Sequence, residues 1–167
     1  MTVHPIIAIQ RVLFAAALLV VVSSKVAIAQ DDATLVVHVE NVVPQGVVRL
    51  GLYNKALYPH DEATPIASAD VTATAGETVI TLRHVPVGTY AIELYQDLNS
   101  NGKMDSTFLG LPQEPYGFSR DARPRLSKPD FDRVKFDVVG GQNFQTLHLQ
   151  NTMTIVASSQ SNATVGR

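Results

Sequence analysis

The sequence predicts an all-β fold, specifically a two-sheet antiparallel β-sandwich of seven or eight strands with Greek-key connections. Short segments alternate between apolar and polar residues along the chain, which is typical of half-buried strands. Turn signals that contain glycine or proline separate these segments. No segment shows an amphipathic helical pattern of convincing length, so we expect strands to form the core.

Seven segments carry the strand pattern: residues 34–40, 47–53, 66–74, 78–85, 90–96, 131–139 and 143–150. The turn at 41–46 predicts that the first two strands form an antiparallel hairpin. Gly140 and Gly141 predict a hairpin-type turn before the last strand. We expect the fifth segment, 90–96, to be a central strand that places Asp97 at its end.

One long loop, residues 98–130, shows no strand pattern. Four prolines between positions 112 and 129 prevent a long helix there. Loops of this length inside a compact domain are commonly functional or flexible. Because the loop contains apolar residues such as Phe108, Leu109 and Leu111, we expect it to pack against the domain.

The N-terminal 29 residues predict a secretory signal peptide. They contain no acid, Arg11 precedes the apolar run 12–22, and Ala27-Ile28-Ala29 is a small-x-small cleavage signal. That run is shorter than the roughly 20 residues that a membrane span needs; a retained membrane anchor is the alternative. The β-sandwich domain is then 30–150, followed by a flexible C-terminal tail, 151–167.

The charge of the chain disfavours several kinds of partner. Removal of residues 1–29 takes away Arg11 and Lys25, which leaves 11 basic and 15 acidic residues and a net charge of −4. Such a chain is not suited to electrostatic attraction to nucleic acid or to an anionic membrane. We therefore expect a secreted or periplasmic protein without membrane insertion after signal cleavage.

Oxygen-bearing side chains stand at every second position after the fifth predicted strand. Asp97, Asn99 and Asn101 are followed by Gly102 and then by Asp105. This order fits the opening of the EF-hand pattern D-x-[DN]-x-[DN]-G, and calcium prefers oxygen ligands that wrap around it. We predict a calcium site here. An Asx-rich turn without an ion is the alternative, since these residues also favour turns.

Two further residues belong to the candidate metal set. Lys103 stands at the seventh position, where the EF-hand contributes a backbone carbonyl. The twelfth position, where the pattern requires a bidentate Glu, is Phe108. Glu114 is the hypothesised replacement for that missing acid, closing the site from outside the short loop.

Features of an enzyme are weak in this sequence. There is no cysteine, no G-x-S-x-G motif, and no zinc-type histidine spacing. Glu114 together with Asp97 or Asp105 is the remaining candidate pair of carboxylates for glycoside chemistry. The basic run Arg120, Arg123, Arg125 and Lys128 suggests a contact with an anion or a polysaccharide, and a solvated segment is the alternative. Because tryptophan is absent, an aromatic platform for sugar would have to use tyrosine or phenylalanine.

The motifs resemble a family of secreted bacterial proteins, domain of unknown function 2141. The resemblance rests on His84-Val85-Pro86-Val87-Gly88-Thr89-Tyr90-Ala91-Ile92, on residues 96–105, on Gly110-Leu111-Pro112-Gln113-Glu114-Pro115-Tyr116-Gly117-Phe118-Ser119, and on the later strand. It implies a small exported β-sandwich and no particular activity. Gln96 stands where the family pattern suggests histidine. The Pro-x-Gly-Thr-Tyr turn also resembles transthyretin-like and collagen-adhesin B-type modules, where it is structural.

Together these features predict an exported, non-enzymatic, calcium-stabilised β-sandwich that binds a protein or glycan in the envelope or outside the cell. The alternative is a hydrolase-type enzyme whose site is built from the 98–130 loop.

Overall fold

A computed structural model describes residues 32–124 and 127–151 of the chain as two β-sheets that enclose one main core. The elements, in chain order, are β1 Asp32–Val42, β2 Val47–Tyr53, β3 Ala67–Thr72, β4 Gly76–Pro86, β5 Gly88–Asp97, β6 Tyr116–Phe118, a 3₁₀ turn Ser119–Asp121, α1 Phe131–Val134, β7 Phe136–Val138 and β8 Gly141–His148. The predicted signal peptide, and the predicted tail beyond residue 151, lie outside the described residues.

The two sheets differ in size. The smaller has three strands in the order β4-β1-β8. The larger has the order β3-β2-β5-β6, and β7 pairs with the same strand β5. β6 pairs with residues 93–95 of β5, and β7 pairs with residues 88–90. The all-β class, the two sheets and the central position of β5 are confirmed.

The predicted neighbours of some strands were wrong. β1 and β2 do not form a hairpin, because β1 pairs with β4 and β8 while β2 pairs with β3 and β5. The Gly140-Gly141 turn likewise joins strands in different sheets. The sandwich is also not wholly antiparallel, since β8 runs parallel to β1 over eight residue pairs. Apolar alternation determines which face of a strand is buried, but not which strand lies beside it.

Two local predictions also required correction. The 98–130 loop contains the short strand β6, whose three residues are too few for an alternating pattern to show. Residues 131–134 form a helical turn instead of the start of a strand, with the Lys135 N–H donating to the Phe131 carbonyl. Phe131 and Val134 are both buried, and their three-residue spacing suits one face of a helix.

The main core is formed by the inward-facing residues of both sheets. Leu35, Val37 and Val39 of β1 meet Leu52 and Ile92 of the larger sheet in one buried cluster. Full burial of a side chain of this size contributes about 1.5–3 kcal/mol. A second, smaller cluster lies at β5 and the 122–134 segment and contains Tyr58, Ala91, Ala122, Phe131 and Val134.

No helix among residues 32–124 and 127–151 is both long enough and apolar enough to cross a membrane.

Candidate functional site

The 97–105 loop begins at the buried end of the central strand β5. The Asp97 side chain is fully buried and accepts hydrogen bonds from the N–H groups of Asn101 at 3.0 Å and Gly102 at 2.7 Å. Arg49 Nε donates to the same carboxylate at 2.8 Å and also pairs with Asp70. Burial alone would raise the pKa of Asp97, but these hydrogen bonds together hold that pKa below its usual value.

The other polar side chains of the loop converge on Asp105. Asn99 Nδ2 donates to the Asp105 carboxylate at 2.7 Å, and Asn101 Nδ2 lies 3.1 and 3.2 Å from its two oxygens. The amide oxygens of the same two asparagines accept backbone N–H groups, from Asn101 and Lys103 respectively. The loop is therefore closed by its own side chains, as in consecutive Asx turns.

Glu114 lies beneath this loop and is 3 % exposed. Its Oε1 accepts from the Leu98 N–H at 2.8 Å, and its Oε2 accepts from the Asp105 N–H at 3.1 Å. One carboxylate thus ties both ends of the loop together. Glu114 thus lies at the loop as a backbone acceptor. Its predicted role in closing a metal site stays a prediction.

A metal at this loop would need more than carboxylates. The described part of the chain contains no group of three or more His, Asp or Glu side chains that could hold a metal ion. Asp97 and Asp105 would have to be supplemented by the amide oxygens of Asn99 and Asn101, and by the backbone carbonyl of Lys103. Calcium at this loop remains a prediction.

Behind the loop, the end of β5 is fixed to the turn between β1 and β2. The buried Gln96 side chain donates to the carbonyls of Val43 and Gln45, both at 2.6 Å, and accepts from the Val43 N–H at 3.2 Å. Gly46 in that turn has a φ of +72°, and a Cβ added there would lie 1.9 Å from the Asp97 carbonyl oxygen. Gln96 therefore has a structural role in holding the turn.

A cleft of about 860 Å³ opens beside the loop on the outer face of the larger sheet. Two rows of side chains across the strands form its floor. Their members are Arg49, Tyr95 and Tyr116 in one row, and Ser68, Gly51, Glu93 and Phe118 in the other. Such cross-strand neighbours face the same side of a sheet.

The walls of the cleft come from the long loop and from the segment before β3. Met104, Leu111 and Pro112 form one side; Pro65 and Pro124 also contribute. The volume lies within the range of about 300–1,000 Å³ that is typical of small-molecule sites. The 98–130 loop therefore shapes both the candidate metal loop and the cleft.

The charged groups in the cleft are paired with one another. Lys128 Nζ lies 2.5 Å from Glu93 Oε1, 3.3 Å from Asp61 Oδ1 and 4.4 Å from the centre of the Tyr58 ring. Burial raises the pKa of Glu93, although the bond to Lys128 opposes that shift. Burial, and to a smaller extent Glu93, also raises the pKa of Tyr53, so that phenol stays protonated at neutral pH.

A family model described as "Uncharacterized protein conserved in bacteria (DUF2141)" matches residues 37–146, which include the loop and the whole cleft floor. The chain belongs to the DUF2141 family. No curated protein and no solved structure matches the chain.

Part of the expectation for the long loop of this DUF2141 domain was wrong. Phe108, Leu109 and Leu111 are exposed, at 97 %, 70 % and 49 %, instead of packing against the domain. They occupy the tip of a turn in which the Thr107 N–H donates to the Leu111 carbonyl and the Gly110 N–H donates to the Thr107 carbonyl. Tyr116 is buried as expected.

Apart from Lys128, the charged and aromatic residues that line the cleft of the DUF2141 domain were not among the sequence candidates. Alternation places Glu93 and Tyr95 on the same face of the fifth strand, opposite Ile92 and Leu94. However, only the register of β2 against β3 and β5 brings Ser68, Gly51 and Glu93 into line. Of the basic run, Lys128 lines the cleft, while Arg125 lies outside the described residues.

Proposed function

We propose that this protein is an exported, non-enzymatic β-sandwich module that binds a protein or glycan partner in the bacterial envelope or outside the cell. The observation that carries the binding role is the cleft, since a concave site with a few paired polar groups is the usual form of a ligand site. The transthyretin-like and adhesin-like relationship is a finer proposal. It is supported by the Pro86–Tyr90 turn, where the Tyr90 hydroxyl donates to the Pro86 carbonyl.

We further propose that calcium stabilises the 97–105 loop, centred on Asp105. Asp97 is already bonded to Arg49 and to two backbone N–H groups, whereas Asp105 is half-buried and meets two side-chain amides. The Asn99 and Asn101 side chains would have to rotate so that their amide oxygens, which now accept backbone N–H groups, face the ion in place of those N–H₂ donors. An ion could then replace the donors at Asp105, with Glu114 holding the loop from below.

Thermal unfolding with calcium and with a chelator tests the metal proposal. About 1 mM calcium against a site of about 0.1–1 mM affinity stabilises by roughly 0.4–1.4 kcal/mol, a shift of a few degrees for a domain of this size. The shift should disappear in Asp105→Asn and persist in the control Asp130→Asn, an exposed acid outside the loop. If the wild-type protein does not respond to calcium, the metal proposal is wrong, while the binding role stands.

A hydrolase with its site in the same cleft is the second candidate. The observation that favours it is Glu93, a carboxyl in a cleft whose pKa is raised by burial, which is a common property of catalytic acids. Release of reducing ends from an oligosaccharide by the wild-type protein, abolished in Glu93→Gln, would favour the enzyme over the binding module.

A further inference from the structure

We infer that the cleft binds a neutral oligosaccharide, with the Tyr53 ring and the Glu93–Lys128 pair as its central contacts. This inference rests on the proposed binding function and names the class of ligand. Three features of the cleft support it: the shape of its floor, the balance of its charges, and the mixture of apolar and hydrogen-bonding groups around its centre.

An aromatic ring covers the middle of the floor. Gly51 lies between Ser68 and Glu93 in the cross-strand row and has no side chain, which leaves room for that ring. Tyr53, two residues along the same face, leans over Gly51. A Cβ added at Gly51 would lie 2.6 Å from Tyr53 Cε2 and 2.7 Å from its hydroxyl oxygen. The half-buried phenol therefore lines the cleft with both a ring and a hydroxyl group.

The charges of the described residues that line the cleft are balanced. Among those residues, two are basic, Arg49 and Lys128, and two are acidic, Asp61 and Glu93. Lys128 pairs with both of those acids, and Arg49 is engaged by Asp70 and Asp97. A strongly charged ligand would have to break one of these pairs and leave a charge uncompensated, which is costly. A neutral ligand avoids that cost.

Neutral sugars suit the remaining groups. A hydroxyl both donates and accepts hydrogen bonds. A ligand rich in hydroxyls can therefore bond to the Glu93 carboxylate and to the Lys128 ammonium without breaking the ion pair between them. Tyr53, Tyr95, Leu111 and Pro112 offer apolar surface to the carbon-bound faces of sugar rings. A protein partner would more readily use the projecting tip of Phe108 and Leu109.

The test measures binding of neutral probes, chitooligosaccharides and maltooligosaccharides, by titration calorimetry. Tyr53→Ala should weaken binding by about tenfold or more, as expected for a central aromatic contact. Gly51→Ala keeps the phenol but displaces it, because the new Cβ meets only the far end of the Tyr53 side chain; it should weaken binding in a protein that still unfolds cooperatively. Phe144→Ala, at an exposed aromatic residue of the smaller sheet, is the matched control and should bind normally.

Binding that all three variants retain would overturn the assignment to this cleft and leave the proposed function intact. A wild-type protein that binds none of the probes but binds an envelope protein through Phe108 and Leu109 would overturn the glycan inference alone. Failure of the wild-type protein to bind any glycan or protein would overturn the proposed function as well.

Discussion

Glu114 is a nearly buried carboxylate that accepts two backbone N–H groups from opposite ends of one loop. The Leu98 and Asp105 amides both depend on it. A buried N–H that loses its acceptor costs about 1–3 kcal/mol. The stability of the loop therefore depends on this side chain whether or not an ion binds.

Glu114→Gln should lower the free energy of unfolding by about 1–3 kcal/mol. The oxygen of the new side-chain amide can accept from one of the two backbone N–H groups, but its N–H₂ group would face the other N–H, and two donors cannot bond to each other. Urea denaturation measures this, with Glu62→Gln as an exposed control that should change stability by less than about 0.5 kcal/mol. Equal stabilities of the two variants would contradict the assigned role.

Of the features of the site, the polar residues of the 97–105 loop were the easiest to identify from the sequence. The spacing of polar residues after the fifth strand predicted either a calcium site or an Asx-rich turn. Asn99 and Asn101 bond to Asp105, whereas Asp97 accepts from the backbone of the loop. The pattern could not reveal that Arg49 bonds to Asp97, because that contact depends on the pairing of two distant strands. Which atoms an amide presents to its neighbours is likewise a matter of packing.

At the scale of elements, the turn between β1 and β2 is fitted closely against the end of β5. Gly46 and Gly76 both have positive φ, +72° and +84°, but only the first approaches another element. Alanine substitution at each glycine therefore separates the free-energy cost of a Cβ at positive φ from the cost of a steric clash with β5.

Gly76→Ala should cost about 1–2 kcal/mol, the penalty for a Cβ in the left-handed region, since an added Cβ there has nothing within 4 Å. Gly46→Ala should cost at least about 1–3 kcal/mol more, because its Cβ would lie 1.9 Å from the Asp97 carbonyl oxygen. Thermal or urea unfolding of the two variants measures the difference; similar losses would show that the turn can move away from β5.

Strand positions were predicted well because alternation reports burial directly. Leu35, Val37 and Val39 lie on one buried face, as do Tyr90 and Ile92. Strand neighbours and the 131–134 helical turn were not predicted. A pattern of two buried residues three apart fits a helical turn, and too few residues follow to distinguish it from a strand.

At the scale of the whole molecule, His148 joins the two sheets along one side of the sandwich. Its Nδ1 lies 2.8 Å from Asp121, which follows β6 of the larger sheet, and its Nε2 lies 3.0 Å from Glu40 on β1 of the smaller sheet. The hydrogen bond to Asp121, with the charges of Asp121 and Glu40, raises the pKa of His148 against the opposing effect of burial.

The ion pairs of His148 stabilise the folded protein only while the imidazole is protonated. Because the folded-state pKa is raised, this stabilisation is complete below the unfolded-state pKa of about 6.5. It is lost as the pH rises through the folded-state pKa. His148→Gln should therefore destabilise the protein more at about pH 5.5 than at about pH 9. Urea denaturation at both pH values measures this. His60→Gln, at an exposed residue, is the control; a loss in His148→Gln that does not vary with pH would refute the assignment.

The adjacency of the first and last strands has a consequence for biosynthesis. Ala33 pairs with Gly141, roughly a hundred positions later, and closing so large a span has an entropic cost before any contact compensates it. During synthesis, β1 therefore keeps one edge unpaired until β8 has been translated. The order β4-β1-β8 of the smaller sheet can form only after residues 141–148 are available, so this sheet is completed later than the pairing of β1 with β4.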